Sequence, residues 1–600
     1  MDTQRTILWL VFGMSLIMLW DRWQAYQGHG SMLRPAVTAP ASPAAPSAAA
    51  PSAGAAAPSA GAAPGQVPEP SGAAAGASPR DIGGVAAPAG IGERIHIQTD
   101  LLAADFDPLG ATLVHVELPG QKPSLDWAGR GLGKLLGLTS WLHSMGLGHA
   151  GGARAGDPNA DEVLLDTSAE RTYQAQTGLI GGASDNPFPN HRATRFEVTG
   201  GARALASGQD TLAVRFEATS GGVRLVKTFT FRRGHYDIQV QHEVTNTGSQ
   251  SVTPSLYLQL LRDGGKPEDD SSFYRTYTGP AFFSDAEKFR KISFDDVLKK
   301  KGEELKPADN GWVAMVQHYF VTAWVPAKGA NREFYAREAD RLFSAGALLK
   351  LGPLAPGAST SSAATLYVGP QDQKTLESIA TGLDLVADYG WLTFIAKPLF
   401  LLLGALHSVV RNWGWAIVLL TVLIKAAFYP LSAASYKSMA KMKELQPRLV
   451  KLKEQYGEDR QKMQMAMMEL YKQEKINPLM GCLPVVVQIP VFISLYWVLL
   501  ASVEMRNTPW MLWIDDLATP DPWFVLPVVM MASMWIQYKL NPTPPDPVQA
   551  KMMAVMPFIF GAMFFFFPAG LVLYWVVNNT LSILQQWRIS RVVAAAKKVG

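Results

Sequence analysis

The sequence predicts a polytopic α-helical membrane protein with six transmembrane helices and one large β-sandwich domain outside the cytoplasm. Three observations lead there. Hydrophobic residues make up 48% of the 600 and charged residues only 17%, whereas soluble domains carry about 25% charged. Long uncharged stretches recur after Leu383. Ahead of them, residues 93–370 alternate apolar and polar side chains with the period of strands buried on one face. A chain of this length also exceeds a single hydrophobic core, so several domains are expected.

The N-terminus opens with ILWLVFGMSLIMLW at Ile7–Trp20, preceded by Arg5 and followed by Asp21 and Arg22. The run has signal-peptide length. DRWQAYQ follows instead of a small-x-small cleavage site, so residues 1–24 read as an uncleaved signal anchor. Residues 25–92 are dominated by Ala, Pro, Gly and Ser. Such a composition buries too little apolar surface to offset its ordering entropy, and reads as a disordered tether.

Residues 93–375 read as the β domain. Leu212, Val214, Phe216 and Ala218 alternate with polar neighbours, as do Val223, Leu225, Phe229 and Phe231. Arg232-Arg233-Gly234 breaks the run, and Tyr236, Ile238, Val240, His242 and Val244 resume it. Further strands fit Arg94–Leu101, Ala111–Leu118, Ser255–Leu260, Val313–Val325 and Thr365–Val368, a spacing that suits a sandwich. Gln121–Glu162 is Gly-rich and reads as an inserted loop. Gly133-Lys134 inside it lacks the spacing and the Ser or Thr of a phosphate loop.

Apolar stretches then fall at 391–410, 413–430, 482–503, 523–540, 552–567 and 571–587. Loop 433–478 holds Lys437, Lys441, Lys443, Arg448, Lys451, Lys453, Arg460, Lys462, Lys472 and Lys475. Loop 504–522 holds Arg506 against Glu504, Asp515, Asp516 and Asp521. The positive-inside rule puts the first loop and the 591–600 tail in the cytoplasm and the second loop outside. With the β domain outside, one span fits between Pro370 and loop 433–478. Residues 413–430 are the cleaner choice. Segment 391–410 carries Lys397, Pro398 and His407, so 376–411 reads as an interfacial amphipathic region. Residues 412–590 become a core of five spans, and with the anchor both termini are cytoplasmic and 25–411 external.

Within that core, Lys425 lies inside an apolar span, where a charge costs about 2.5–3.5 kcal/mol on insertion scales. Snorkelling toward the inner surface is the plain alternative. Thr421 sits one turn away on the same face. Gln488, Asn578, Asn579, Thr580 and Ser582 add polar groups at middle or inner depth, while Phe564–Phe567 and Leu571–Trp575 leave the outer half apolar. Packing hydrogen bonds would scatter with depth. Clustering in one leaflet points to a wet cavity open to the cytoplasm. In loop 433–478, Met442, Leu445, Leu449, Leu452 and Tyr456, then Met463, Met467 and Leu470, follow helical spacing around Gly457. The region reads as a helical hairpin whose methionines, Met439 included, either self-pack or offer an adaptable apolar surface.

Several classes fall away. There is one cysteine, Cys482, so no intrachain disulfide or Cys-based metal cluster is possible, and a net charge of +4 gives no basis for direct nucleic-acid binding. No nucleotide loop, zinc-protease or nucleophile-elbow motif occurs, and no cofactor is expected. A secondary transporter using Lys425 as an anion site is the alternative; it predicts repeated halves, which the sequence lacks. An intramembrane protease would need a base beside Ser494 or Ser582, and none is evident.

Specific stretches carry a resemblance: DYGW at 388–391, YPL at 429–431, MAKMKELQP at 439–447, NPLMGCLPVVVQIPVF at 477–492, LWIDDL at 512–517 and FPAGLVLYW at 567–575. In these the chain resembles the YidC/Oxa/Alb family of membrane protein insertases. MDTQR at the start and GWVAMVQHYFVTAW at 311–324 resemble the bacterial form with a large periplasmic domain. The resemblance implies a periplasmic β-supersandwich, an inner-membrane location and a non-enzymatic insertase and chaperone activity. It implies an inward-open groove with a basic residue on the second span, usually arginine and here Lys425. By that resemblance Thr421 and Gln488 would line the groove, which the polar clustering extends to Asn578 and Asn579, and Phe492, Tyr574 and Trp575 would form a slide for client helices. It implies nascent membrane proteins as clients in the lipid bilayer and the Sec translocon as partner, and leaves the ribosome open as a further one.

Overall fold

The computed structural model describes residues 94–599 except 124–125, 127, 145–159, 169–170, 266, 268–275, 340, 457–458, 475–482 and 542–546. The expected signal anchor, the tether and Cys482 lie outside the described residues. Two compact units emerge: one runs to Lys122 and resumes over Asn159–Val386, and the other comprises Pro123–Pro158 and Ala387–Gly600.

The first unit is built from two large antiparallel sheets and a small hairpin of Gly182–Ala183 with Asn186–Pro187. One places Ile95–Gln98, Ala103–Asp107, Thr112–Leu118, Glu162–Thr167, Thr172–Ile180, Ser255–Asp263, Leu342–Lys350 and Arg332–Ala339 side by side in that order. The other orders Lys288–Lys291, Gly279–Ser284, Trp312–Gln317, Phe320–Pro326, Ser359–Pro370, Asp237–Asn246, Val223–Arg232, Thr211–Ser220 and Glu197–Thr199. The sheets pack face to face. Phe106 of the first meets Phe216 and Phe229 of the second at centroid distances of 5.1 and 4.8 Å. Tyr173 and Trp324 cross the interface to donate to the Met315 and Gln259 carbonyls, so their polar tips are satisfied inside an apolar layer.

Alternation produces these strands where it was expected. Val223, Leu225, Phe229 and Phe231 are buried, with Val223 paired to Ser220 at the turn. The stretch Val313–Val325 is a correction. It is not one strand but a hairpin, Trp312–Gln317 and Phe320–Pro326, closed by Gln317 opposite Phe320. His318 and Tyr319 make the turn. The turn has neither Gly nor Pro, and Gln317-His318 is a polar break too short to be told from strand alternation.

The second unit is helical. Its helices are α1 (Gly131–Leu135), α2 (Thr139–Ser144), α3 (Thr393–Val410), α4 (Trp413–Ala427), α5 (Tyr429–Glu444), α6 (Gln446–Tyr456), α7 (Arg460–Gln473), α8 (Leu483–Ala501), α9 (Val525–Leu540), α10 (Pro547–Met563) and α11 (Ala569–Val599). The inserted segment between Thr112–Leu118 and Glu162–Thr167 thus carries two short helices and belongs to this unit rather than to the sandwich.

Among the described residues, Gly390–Val410 is the one straight helix long and apolar enough to cross a membrane; α4 and α5 qualify together as a span bent by 67°. Residues 413–430 therefore do not form one straight helix. The break falls at Phe428, which ends α4 and precedes α5, and Pro430 in the first turn of α5 has no N–H with which to continue the α4 ladder. Val486–Ala501, Val525–Leu540 and Ala550–Phe566 are shorter apolar helices. Asn412 caps α4, its side chain accepting from the Trp415 N–H at 3.1 Å.

Candidate polar recess in the helical unit

Helix α4 presents Lys425 toward α11. Its Nζ donates to Ser582 Oγ at 2.7 Å, and Ser582 Oγ donates in turn to the Asn578 carbonyl, one turn back, at 2.8 Å. Tyr436 of α5 lies beside Ser582. Ser582 and Asn578 are buried and Lys425 is half-buried. From α8, the Gln488 amide donates to Asn578 Oδ1 and lies 3.4 Å from the Tyr574 hydroxyl. Four helices, α4, α5, α8 and α11, therefore converge on one polar chain.

Two candidates stand apart from it. Thr421 is buried, and its hydroxyl donates to the Ile417 carbonyl at 2.7 Å, so it is satisfied by its own helix. Asn579 turns to α9, donating to Ser533 Oγ at 3.3 Å. Adjacent residues on a helix point about 100° apart, which sends Asn578 and Asn579 to different neighbours. Ser582 and Tyr436 complete the chain. Ser582 is the partner of Lys425, across 157 residues of sequence.

Phe492, Tyr574 and Trp575 form an aromatic group. Phe492 packs edge-on to Trp575 at 4.7 Å and near-parallel to Tyr574 at 6.3 Å. Phe564 joins Trp575 at 5.7 Å. Tyr574 faces the recess with its hydroxyl and the aromatic group with its ring.

The end of the bundle beyond these rings is strapped. Ala569 and Gly570 donate to the Thr519 and Leu517 carbonyls at 2.7 and 2.9 Å. The buried Asp521 carboxylate accepts from the Trp513 indole and the Trp523 and Leu526 backbone at 3.0, 2.9 and 2.8 Å. Loop 504–522 is thereby fixed to the turn at Pro568 and to the start of α9.

Helices α6 and α7 pack as a hairpin, held at one end by Arg448 and Glu474, 2.6 Å apart. Leu445 and Leu449 are buried. Met463 and Met467 are half-buried, Met465 and Met468 exposed; Met439 and Met442 lie on α5, half-buried. The self-packed and exposed readings of the methionine face thus divide between different residues.

The family model for the 60Kd inner membrane protein matches residues 405–597, and that for the YidC periplasmic domain matches 153–402. The chain is 52% identical over 593 residues to the membrane protein insertase YidC of Bordetella petrii, with 98% of each chain covered. It is 54% identical to that of Bordetella avium over the same share, and 50% identical to that of Cupriavidus metallidurans over 100% of this chain and 99% of the relative. The chain belongs to the YidC family of membrane protein insertases. A crystal structure of an active YidC insertase with its first transmembrane domain covers 82% of this chain and 92% of its own, at 18% identity and a TM-score of 0.36. YidC proteins are inner-membrane insertases with a periplasmic domain, not enzymes, so the contact between Lys425 and Ser582 is read as a seat for a cation and not as a nucleophile with its base.

The periplasmic unit holds a second polar cluster, formed by Lys227 and His242 on the inward parity of their strands. Lys227 is fully buried and donates to the carbonyls of Gly110 and Thr177 at 2.6 and 2.5 Å, with its ammonium 4.4 Å from the Phe196 ring centre. Burial holds its pKa well below the usual lysine value. His242 Nε2 lies 2.8 Å from Thr177 Oγ1, and burial, helped by Lys227, lowers its pKa to about 3.

Proposed function

We propose that the chain inserts, folds and helps assemble integral membrane proteins through a groove open to the cytoplasm, with Lys425 as its cationic centre. The observation that carries this reading is the 2.7 Å bond from Lys425 Nζ to a single hydroxyl, in a chain of otherwise neutral groups on four helices. An ammonium has three donors. One is spent on Ser582, and the others are available to a carboxylate on a client segment, most strongly where water is scarce. The aromatic group of Phe492, Tyr574 and Trp575 would then guide apolar client residues toward lipid, and burial of the client helix would drive the step without a cofactor.

The same reading takes six spans, with α4, α8, α9, α10 and α11 as five and the N-terminal segment as the sixth. It takes α3 as an interfacial helix, both termini as cytoplasmic and residues 25–411 as periplasmic. The Sec translocon, the ribosome and the exposed methionines of the 433–478 hairpin belong to it as docking partners and surface.

The test is depletion of the chromosomal protein and complementation with Lys425→Arg, Lys425→Ala and Lys425→Glu, scoring insertion of a small client with an acidic translocated segment. Arginine should support insertion, and alanine and glutamate should fail. Normal insertion by the alanine variant would reduce Lys425 to a snorkelling residue and end the groove mechanism.

A further inference from the structure

The segment Pro123–Pro158 interrupts the sandwich in sequence yet belongs to the helical unit. Its described part is firmly attached there. The Leu132 N–H donates to the Pro522 carbonyl at 2.9 Å, and the Arg130 guanidinium lies 3.0 Å from Asp515. Ala128 and Leu142 pack with Phe524 and Phe566. Gly131 permits the approach. Its φ is +51°, and a Cβ there would stand 2.1 Å from the Pro522 oxygen, so both its backbone freedom and its missing side chain are required.

After this docking, α1, α2 and their connection still turn apolar side chains outward. Leu135 and Leu136 are 70% and 59% exposed, Leu138 and Trp141 are exposed as well, and Lys134 lies beside them. Large apolar side chains concentrated in so short a stretch mark an interaction surface. The position identifies what covers it. Phe524 immediately precedes α9, and Phe566 closes the run that follows α10. Whatever packs on these two residues is level with the ends of those apolar helices. Just beyond, Val525, Val528 and Val529 of α9 are exposed too, so the leucines continue an apolar outer surface. A short element with leucines, a tryptophan and a lysine at the end of membrane helices has the composition of an interfacial anchor.

We propose that residues 130–141 form a wedge seated in the headgroup–acyl boundary of the outer leaflet, with Leu135, Leu136 and Leu138 in the acyl region, Trp141 at headgroup level and Lys134 reaching the lipid phosphates. It holds the loop 504–522 against the membrane surface from outside. The proposal rests on the membrane orientation given above, and its test separates the two.

Cys482→Ser gives a cysteine-free full-length chain. In that background nitroxide labels are placed singly at Leu135→Cys, Leu136→Cys, Val528→Cys and Ser207→Cys, in vesicles of phosphatidylethanolamine and phosphatidylglycerol. Collision with oxygen, which partitions into lipid, is compared with collision with a water-soluble nickel chelate. Val528 is the lipid reference and Ser207, exposed in the sandwich, the aqueous one. The expected result is a loss of nickel collision and a gain of oxygen collision at 135 and 136 relative to 207, shallower than at 528. Labels at 135 and 136 that behave like 207 while 528 reads as lipid would overturn the wedge and leave the orientation standing. Shielding from both reagents would show a protein partner over the leucines and overturn it equally. An aqueous reading at 528 would bring down the orientation, and the wedge with it.

Discussion

Lys227 and Lys425, one in each unit, are both withdrawn from bulk water and are held differently. Lys227 is enclosed between strands, with two backbone carbonyls on its ammonium and an aromatic ring beside it. Lys425 is half-buried between helices and meets one side-chain hydroxyl. Carbonyls fixed in a sheet are permanent partners; a serine hydroxyl can rotate away. The first arrangement consumes the cation in building the fold, and the second keeps it available. Burial alone does not mark a functional charge, and the identity of its partners does.

The sharpest test of that contrast is truncation of both lysines. Lys227→Ala should cost the periplasmic unit about 3–5 kcal/mol, because it leaves a cavity and two unpartnered carbonyls. Hydrogen exchange over Val223–Arg232 in the full chain reads this loss directly. Lys425→Ala should leave exchange in the helical unit nearly unchanged while insertion fails. Equal structural damage from the two substitutions would erase the distinction.

Acid should separate the units next. His242 has a folded pKa of about 3 against 6.5 when unfolded, so the unfolded chain binds the extra proton between those values and stability falls with pH there. At pH 4.5 the loss is about 2–3 kcal/mol. His242→Gln should flatten that slope in exchange measurements on Asp237–Asn246. A slope that survives the substitution would assign it to other groups.

A smaller effect of opposite sign comes from His115, 3.0 Å from Asp166. The hydrogen bond to Asp166 raises the His115 pKa against the pull of burial, and burial of Asp166 is in turn outweighed by His115, which leaves its pKa lowered. The histidine contribution is whole below pH 6.5 and disappears as pH rises through its raised folded value. The carboxylate contribution is whole above 3.8 and disappears as pH falls through its lowered one. Both side chains are partly exposed, so His115→Asn should cost about 0.5–1 kcal/mol at pH 6 and less at pH 9.

The parts of the fold that alternation dictates were legible. The strands from Thr211 to Asn246 follow from period-two burial. What composition does not punctuate was hidden, as in the turn at His318-Tyr319. Helices as short as α1 and α2, in a Gly-rich stretch, carry too little periodicity to be seen, and their docking on Pro522 depends on contacts far away in sequence. The recess was half legible. Lys425 announces itself as a charge in an apolar run, but its partnership with Ser582 is tertiary. Thr421 shows the limit of helical spacing, because sharing a face with Lys425 did not stop its hydroxyl from bonding its own backbone. Lys227 shares the parity of Val223, Leu225, Phe229 and Phe231, so alternation already placed it on the buried face; the carbonyls of Gly110 and Thr177 that receive it are tertiary and could not be read from the sequence.

The strap of loop 504–522 across the turn at Pro568 has a consequence for the energised membrane. A polar recess reaching partway through a bilayer shortens the insulating path for ions. Main-chain bonds from Ala569 and Gly570 to that loop, backed by three donors on Asp521, tie the far end shut with hydrogen bonds made inside the protein. A cell that overproduces this protein should therefore hold its proton-motive force as well as one that does not, and cutting the strap should depolarise it before insertion slows.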